Sequence, residues 1–489
     1  MIIDYKIHHG DCLETLRGMT ESSVDSIVTD PPYGLSKQPD MAEVLRHWLK
    51  GDDYVHTGSG FMGKSWDSFV PGPSVWREAL RVLKPGGYAL VFAGSRTQDL
   101  MSISLRLAGF EIRDTAFWFY GSGFPKSLDV SKAIDAADAV RVRRERALRF
   151  TAWMRSTGIT ARQIDEATGS AMGGHYLTDA AQPGVATLDM FEKMRHLLPE
   201  PPADIMKLMQ WRTVESENMK RREVVGEGYR IRNESTVNLA GISTGAYDIT
   251  IAHTDEAKQW EGWGTALKPA YEPIIIARKP LEGTVADNVL THGVGAINVD
   301  GCRVPSDGGR HRKNEPSQDN RYTESGATNY AMKPGPRGGD PAGRWPANIL
   351  HDGCFDDEPW GRYFYAAKAS KADRNEGCEH LAHVAAGEVT GGRKKGSDGL
   401  NSPRAGAGRT SGAKNHHPTV KPTELMRWCC RLVTSPGGTV LDLFAGSGST
   451  GKAALLEGFN PVLCEREAEY LPIIEARCAW ALFKRVTEE

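Results

Sequence analysis

Apolar positions along this chain repeat a short cycle: a run of β-branched residues, a polar break, then apolar positions at helical spacing. The run from Val24 to Val28 reads as a buried strand that Pro31-Pro32 ends abruptly. Over residues 74–83, Val75, Ala79, Leu80 and Leu83 lie at helical spacing, and Lys84-Pro85-Gly86-Gly87 stops that helix. Residues 88–93 form the next buried strand, 98–108 the next helix and 111–120 the next strand. At the start of the chain residues 2–8 alternate as a strand does, and an amphipathic helix covers 13–19. Toward the other end a hydrophobic strand from Thr439 runs into Gly446-Ser447-Gly448. A helix over 449–457, a strand over 461–464 and a final helix over 468–483 follow. This alternation dictates an α/β fold whose mostly parallel sheet carries helices on both faces.

Three stretches break the cycle. Residues 36–72 are polar, with Trp48, Phe61 and Trp66 interspersed, and read as an active-site loop. Residues 129–235 read as helical and are basic at first, with Arg141, Arg143, Arg144, Arg146 and Arg149. Within them, residues 150–169 suggest helix, glycine turn at Gly158 and helix, with a capping box from Thr160 and Gln163. Another helix follows at 187–198. This is similar to a helix-turn-helix, although Gly173-Gly174-His175 suits a recognition helix poorly, and a small helical packing domain fits as well. The scaffold resumes at 274–277, an apolar run expected to supply an antiparallel strand. Residues 280–415 are rich in Gly, Pro, Asn, Arg and Lys; 305–340 and 387–414 read as linker. Residues 343–350 and 362–370 combine cations with aromatics, which suits DNA backbone and unstacked bases.

The domain plan is therefore 1–128, one half of an α/β domain; 129–260, a helical insertion; 261–281, the return strand; 282–415, a basic contact region; and 416–489, the other half. Charged residues at 25% and hydrophobic ones at 40% are ordinary for a globular chain. No apolar run reaches membrane-spanning length, and the first residues are not a signal peptide, so a cytoplasmic setting and no membrane partner are expected. Eight scattered cysteines without a C-x-x-C pair indicate neither zinc nor a disulfide framework. The net charge of −2 gives no global nucleic-acid signature, which leaves phosphate contacts to local patches.

Two motifs carry candidate chemistry. At the C-terminal edge of the first strand, where open α/β sheets bind ligands, stand Asp30, Pro31, Pro32 and Tyr33. A carboxylate, two carbonyls and an aromatic ring suit an exocyclic amine of a nucleobase, a poor nucleophile because its lone pair is delocalised. Hydrogen bonds from the amine to Asp30 and the Pro31 carbonyl would hold it and stabilise the charge that develops on alkylation. Tyr33 would stack on the base once it leaves the duplex. A plain turn built on Pro-Pro and Gly34 is the alternative. The second motif, Asp442-Leu443-Phe444-Ala445-Gly446-Ser447-Gly448-Ser449-Thr450, ends a strand in glycines that let the backbone pass close to a nucleoside. Glu465 follows about twenty residues after the first glycine, as the ribose-binding acid does in dinucleotide folds. Alone this segment would serve NAD or a simple turn, but it lacks the G-x-G-x-x-G spacing. Beside Asp30-Pro31-Pro32-Tyr33 it points to S-adenosylmethionine.

Together the motifs resemble those of the amino-group DNA methyltransferases, which make N6-methyladenine or N4-methylcytosine. The order is that of the β class, catalytic motif first and glycines last, and the resemblance covers residues 1–128 and 410–489. It implies a Rossmann-like S-adenosylmethionine-dependent methyltransferase fold, circularly permuted, with a mostly parallel sheet, one antiparallel strand and a helical insertion. The first strand of the chain should then lie beside the strand that ends at Glu465. Implied catalytic residues are Asp30, Pro31, Pro32 and Tyr33. S-adenosyl-L-methionine would be held by Asp11, Asp442, Phe444, Gly446, Ser447, Gly448, Thr450, Glu465 and Lys421. In the family the acid matching Asp11 lies near the cofactor's adenine; an N-cap role for Asp11 reads equally well, and the two are compatible. The segment His417 to Pro422, with Lys421, resembles the element that borders the methionine end. Residues 121–127 match a substrate-side loop, where Phe124 would stack on the base and Lys126 meet a phosphate.

No metal is expected, because His416-His417 has no further ligand at suitable spacing. The expected reaction is direct in-line methylation of a flipped base in double-stranded DNA. No Pro-Cys dipeptide occurs, which disfavours carbon-5 cytosine chemistry. Asp rather than Ser at the first motif position leans toward adenine N6 over cytosine N4. A nicotinamide oxidoreductase would leave Asp30 idle, and a catalytically silent DNA-binding protein would not need it. A bacterial or phage-infected cell is the expected setting; a homodimer and a partner restriction nuclease stay open.

Overall fold

The computed structural model describes residues 4–35, 38–56, 67–121, 127–217, 223–230, 245–304, 343–354, 364–384 and 413–488. Eleven strands occur among them: β1 (Lys6–His9), β2 (Val24–Thr29), β3 (Leu83–Phe92), β4 (Glu111–Phe119), β5 (Val224–Arg230), β6 (Gly245–Thr250), β7 (Tyr271–Arg278), β8 (Ile349–His351), β9 (Phe364–Tyr365), β10 (Thr439–Asp442) and β11 (Asn460–Glu465). Two compact units divide the chain, one of residues 1–123, 233–242 and 270–489, the other of 124–232 and 243–269.

The first unit is a nine-stranded sheet in the order β1-β11-β10-β2-β3-β7-β4-β8-β9. Every pairing is parallel except those of β7, which runs antiparallel between β3 and β4. Side-chain alternation along the strands splits the core into two layers. Ile27, Val91, Ile275 and Leu441 face one layer, closed by Leu16, Trp48, Trp76 and Leu105. Val28, Leu90, Ile274 and Val440 face the other, closed by Leu425, Trp428 and Ala453. Strands buried on both faces explain the continuous apolar runs in the sequence. The parallel strands β1, β2, β3, β10 and β11 all end at one edge of the sheet. Because β7 runs the other way, its first residues arrive at that same edge.

The expected α/β class, mostly parallel sheet and single antiparallel strand are all present. The first strand of the chain pairs with β11, His9 lying opposite Glu465. Four local readings change. Residues 36–72 are not loop throughout: Met41–Lys50 is a helix capped by Asp40 and ended by Gly51, with Val44 and Trp48 buried one turn apart. Its abundant polar residues disguised a narrow apolar stripe. The Lys84–Gly87 stop is instead part of β3, where pairing jumps from Val24–Leu83 to Ser26–Tyr88 and the extra residues form an irregularity. Lys84 is held there by Asp25 at 2.6 Å. The basic region holds a helix, Val285–His292, with a reciprocal capping box between Thr284 and Asp287. Finally, residues 343–350 and 362–370, assigned to DNA contact, contribute β8 and β9 to the sheet edge, where Leu350 and Ala366 are buried. The stretches read as linker lie outside the described residues apart from 413–414.

The second unit carries the helices Val130–Ser156, Ala161–Thr168, Gly173–Leu177, Leu188–Met194 and Ala203–Glu217, and the hairpin of β5 and β6. The turn at Gly158 and the Thr160–Gln163 capping box are both formed. Phe150, Met154, Ile164, Tyr176 and Phe191 make its core. Several of its arginines are engaged locally: Arg141 by Asp138 and Glu145, Arg149 by Asp204, Arg162 by Glu166.

Ile275 sits fully inside the sheet's first layer, so Ile275→Ala should lower the free energy of urea unfolding by about 2–5 kcal/mol. Leu290, 86% exposed on the helix Val285–His292, should tolerate alanine within about 0.5 kcal/mol. Equal losses at the two positions would contradict this placement of β7.

Candidate active site

The two sequence motifs meet because β2 and β10 are neighbours, with Ile27 opposite Leu441. Just past that pairing, at the ends of β2 and β10, the Thr29 hydroxyl donates to Asp442 Oδ1 at 2.6 Å. The chain leaves β2 through Asp30-Pro31-Pro32 and turns at Tyr33-Gly34. Asp67 Oδ1 receives the Tyr33 N–H at 2.9 Å, and the Thr97 hydroxyl donates to the Tyr33 carbonyl at 2.7 Å. Gly34 has φ +61°, and a Cβ there would lie 2.9 Å from the backbone of Phe69. The loop is thus clamped on both sides. Asp67 belongs to the stretch 36–72 read as an active-site loop, whose Phe61 and Trp66 lie outside the described residues.

Asp30 does not stand alone. Its Oδ2 accepts from Lys421 Nζ at 2.6 Å, and the same ammonium lies 3.0 Å from the Tyr33 hydroxyl and 3.3 Å from Glu272 Oε2. The Tyr33 hydroxyl in turn donates to Glu272 Oε2 at 3.1 Å. Lys421 Nζ also faces the rings of Phe92 and Tyr33 at 4.9 and 5.2 Å. Burial pulls the Lys421 pKa down, but the Asp30 and Glu272 carboxylates outweigh it, and the ammonium ionises above its usual range. Burial, then Asp30 and Glu272, push the Tyr33 phenol well above its ordinary value, so it keeps its proton. Asp30 Oδ1 is buried and has no hydrogen-bond partner among the described residues. A buried acceptor left open in an otherwise saturated cluster is a place for a donor.

Across the edge, the β10 strand ends at Asp442 and enters the glycine turn. Asp442 Oδ1 also receives the Phe444 N–H at 3.1 Å. Burial raises the Asp442 carboxyl to about 6, against the opposing hydrogen bonds from Thr29, Thr450 and Phe444. Gly446 has φ +52°, and a Cβ on it would sit 2.9 Å from the His417 ring. Its N–H donates to Glu465 Oε2 at 2.7 Å, and the Glu467 N–H donates to Oε1 at 2.7 Å. Ser447 and Ser449 are buried, and both are bonded by the guanidinium of Arg477, itself fully buried. The Ser449 hydroxyl donates to the Lys421 carbonyl at 3.0 Å. His417 is buried edge-on to Tyr470, and burial lowers its pKa to about 3, so it is neutral.

The arrangement brings together Asp30, Pro31, Pro32 and Tyr33 with Lys421, and Asp442, Phe444, Gly446, Ser447, Gly448 and Thr450 with Glu465. Asp11 stands at the same edge just past β1, where Gly10 donates to the Glu465 carbonyl, and its side chain caps Leu13 N–H at 2.9 Å. Lys421, assigned from sequence to the cofactor, lies against the catalytic-motif carboxylate. Phe124 and Lys126 lie outside the described residues. Glu272, Thr29 and Arg477 were missed. For Glu272 a signal existed, since an antiparallel return strand must begin where the parallel strands end.

The open acceptors and the glycine turn fit a nucleoside. Each Glu465 oxygen has taken only one N–H and retains lone pairs for ribose hydroxyls. The glycine turn brings bare backbone to the edge between Asp442 and Glu465.

A family model of DNA methylases, the N6/N4 group, matches residues 24–142 and 245–476. The chain is 25% identical over 135 residues to the type II methyltransferase M.HpaI of Haemophilus parainfluenzae, covering 27% of this chain and 37% of that one. It is 31% identical over 88 residues to the type II methyltransferase M.BamHI of Bacillus amyloliquefaciens, covering 18% and 17%. The chain thus spans well under half the length of these curated relatives. Among solved structures it is similar to the PvuII DNA methyltransferase, described as cytosine-N4-specific, at 12% identity and a TM-score of 0.36, covering 99% and 94%.

Asp442 gives a pH test of this geometry. Unfolded, an aspartate ionises near 4; folded, this one holds its proton to about 6. Rising pH across that window therefore favours the unfolded chain, by on the order of 3 kcal/mol once complete. Asp442→Asn should remove this loss, so its unfolding free energy, measured from pH 4 to 7, should gain on wild type as pH rises. Parallel curves would refute the buried carboxyl.

Proposed function

Since the chain belongs to the N6/N4 family of DNA methylases, we propose that it methylates the exocyclic amine of a base flipped out of double-stranded DNA, with adenine N6 as the target. The methyl donor of this family is S-adenosyl-L-methionine, which supplies an electrophilic methyl group on a sulfonium and needs no enzyme nucleophile. In this reading Glu465 holds the ribose hydroxyls, the backbone of Gly446–Gly448 lies against the nucleoside, and Asp11 lies toward its adenine. Asp30 Oδ1 and the Pro31 carbonyl accept the two N–H groups of the target amine. That grip draws the lone pair out of the ring and fixes the nitrogen for an in-line approach. Transfer of the methyl group to the amine would place positive charge on its nitrogen. Asp30 stabilises that charge and stands where the departing amine proton is released. Tyr33, kept protonated and fixed by Asp67 and Thr97, offers its ring to the base.

The observation that carries this reading is the buried, open oxygen of Asp30 at the same sheet edge as the glycine turn. The second unit, with its helix, glycine turn and helix, is the proposed reader of the duplex. Cytosine N4 is the second target to weigh, because its amine would occupy the same acceptors; the aspartate that opens the motif favours adenine.

With purified protein, labelled S-adenosylmethionine and DNA amplified in vitro, label should enter the DNA, and single-molecule sequencing should place it on adenine. Asp30→Ala should bind the cofactor as wild type does and lose transfer by at least about 100-fold, as sites lose rate when a group aimed at developing charge is removed. Transfer at an unchanged rate would take Asp30 out of the reaction.

A further inference from the structure

Asp30 can hold a substrate amine only while the donors already around it point elsewhere. Two such donors are built into the site. The Lys421 ammonium is bonded to Oδ2, and the Tyr33 hydroxyl is within hydrogen-bonding reach of the same carboxylate. Tyr33 has one proton and two carboxylates competing for it, and in the structure it donates to Glu272 Oε2 at 3.1 Å. That same oxygen lies 3.3 Å from Lys421 Nζ and shares its charge. Glu272 is only 23% exposed and enters the site from β7, the one strand of the sheet that runs antiparallel, next to Pro273, whose carbonyl accepts the Ala93 N–H. Its backbone is therefore fixed, and its carboxylate is aimed at the two internal donors.

We propose that Glu272 is a positioning residue that acts as a rival acceptor: it draws the Tyr33 proton and part of the Lys421 charge away from Asp30, leaving Oδ1 open for the amine. Were Glu272 absent, the Tyr33 O–H would swing to Asp30, the other carboxylate within reach among the described residues, and Lys421 would keep Asp30 as its anionic partner among them. Asp30 would then enter the reaction already saturated, and the amine would have to displace an internal hydrogen bond. Glu272 itself touches no reacting atom; its effect passes through Tyr33. This rests on the amine-methylating function proposed above and assigns one more residue to it.

The test is a double-mutant cycle on single-turnover methyl transfer, with labelled S-adenosylmethionine and in vitro amplified DNA. Glu272→Leu should slow transfer at least about tenfold, while cofactor affinity, DNA affinity and thermal midpoint stay near wild type. Glu272→Gln, which keeps an acceptor oxygen but no charge, should fall between the two. The decisive arm is Tyr33→Phe, which keeps the stacking ring and removes the competing donor. In the Glu272→Leu background it should raise the rate several-fold, so that the double variant outruns the single one. A structural defect at Glu272 would not be repaired by also losing the Tyr33 hydroxyl. Transfer by Glu272→Leu at the wild-type rate, or a double variant as slow as the product of the singles, would overturn the proposal while leaving the methylase reading intact. A folded wild-type protein that transfers no methyl to DNA would overturn both.

Discussion

The pairing of β2 with β10 is the constraint on which the site depends. It joins segments more than 400 positions apart in sequence, and the Thr29–Asp442 hydrogen bond closes the join at the edge where both strands end. Without it, the carboxylate of Asp30 and the glycine turn would belong to two halves with no fixed relation. Loop closure over such a distance costs more entropy than a local contact, though the cost grows only slowly with length. The compensation lies in the burial of Ile27, Val28, Val440 and Leu441, all essentially without exposure, which places the seam at the centre of both core layers. The chain can therefore carry long intervening segments between its halves without weakening the site, provided the seam itself is apolar and in register.

At that edge the protein spends stability on chemistry. Lys421, Asp30, Glu272 and Tyr33 are charged or polar groups largely withdrawn from water, and burying an ammonium is costly unless carboxylates surround it. Two carboxylates do so here, which leaves the three ionised groups with an excess of one negative charge. An excess of that sign suits the proposed reaction, in which an amine becomes cationic. The same cluster filled with apolar residues would fold at least as well and would have nothing to offer an amine.

Much of this was legible because it is local or periodic. The alternation of strands and helices, the Gly446-Ser447-Gly448 turn, the Thr160–Gln163 capping box and the antiparallel return strand are each written in contiguous residues, and each is present. What escaped was either disguised by composition or distributed across the chain. The helix Met41–Lys50 buries only Val44 and Trp48, so its polar majority read as loop. Lys84–Gly87 looks like a stop signal, yet the neighbouring strand absorbs it as an irregularity. Ile349–His351 gained its place in the sheet from pairing with β4 and β9, which no local pattern announces. Glu272 stood just before the apolar run 274–277 identified as the return strand, but its partners Tyr33 and Lys421 lie 239 positions before it and nearly 150 after it. Pairwise proximity of that kind follows from the topology, and becomes readable only when the direction of β7 is taken into account.

The stretch from Asn415 to Pro422 is what makes the two sides of the site one object. Its His417 ring packs where a Gly446 Cβ would be, which is why the glycine turn can approach no other residue type at that position. Its His417 carbonyl is held by Arg374, and its Lys421 carbonyl by the Ser449 hydroxyl of the glycine turn. Beyond the same lysine's backbone, its side chain ends on Asp30. A single residue is thus tied by its carbonyl to the proposed cofactor side and by its ammonium to the amine side. In-line transfer between two bound molecules tolerates little error in their separation, since a misplacement of about 1 Å can cost a hundredfold in rate. Arg477 reinforces the same tie from behind, bonding Ser447 and Ser449 from within the core. In the proposed reaction the spacing between methyl donor and acceptor would in this way be set by hydrogen bonds of the backbone as much as by the side chains that touch the reagents.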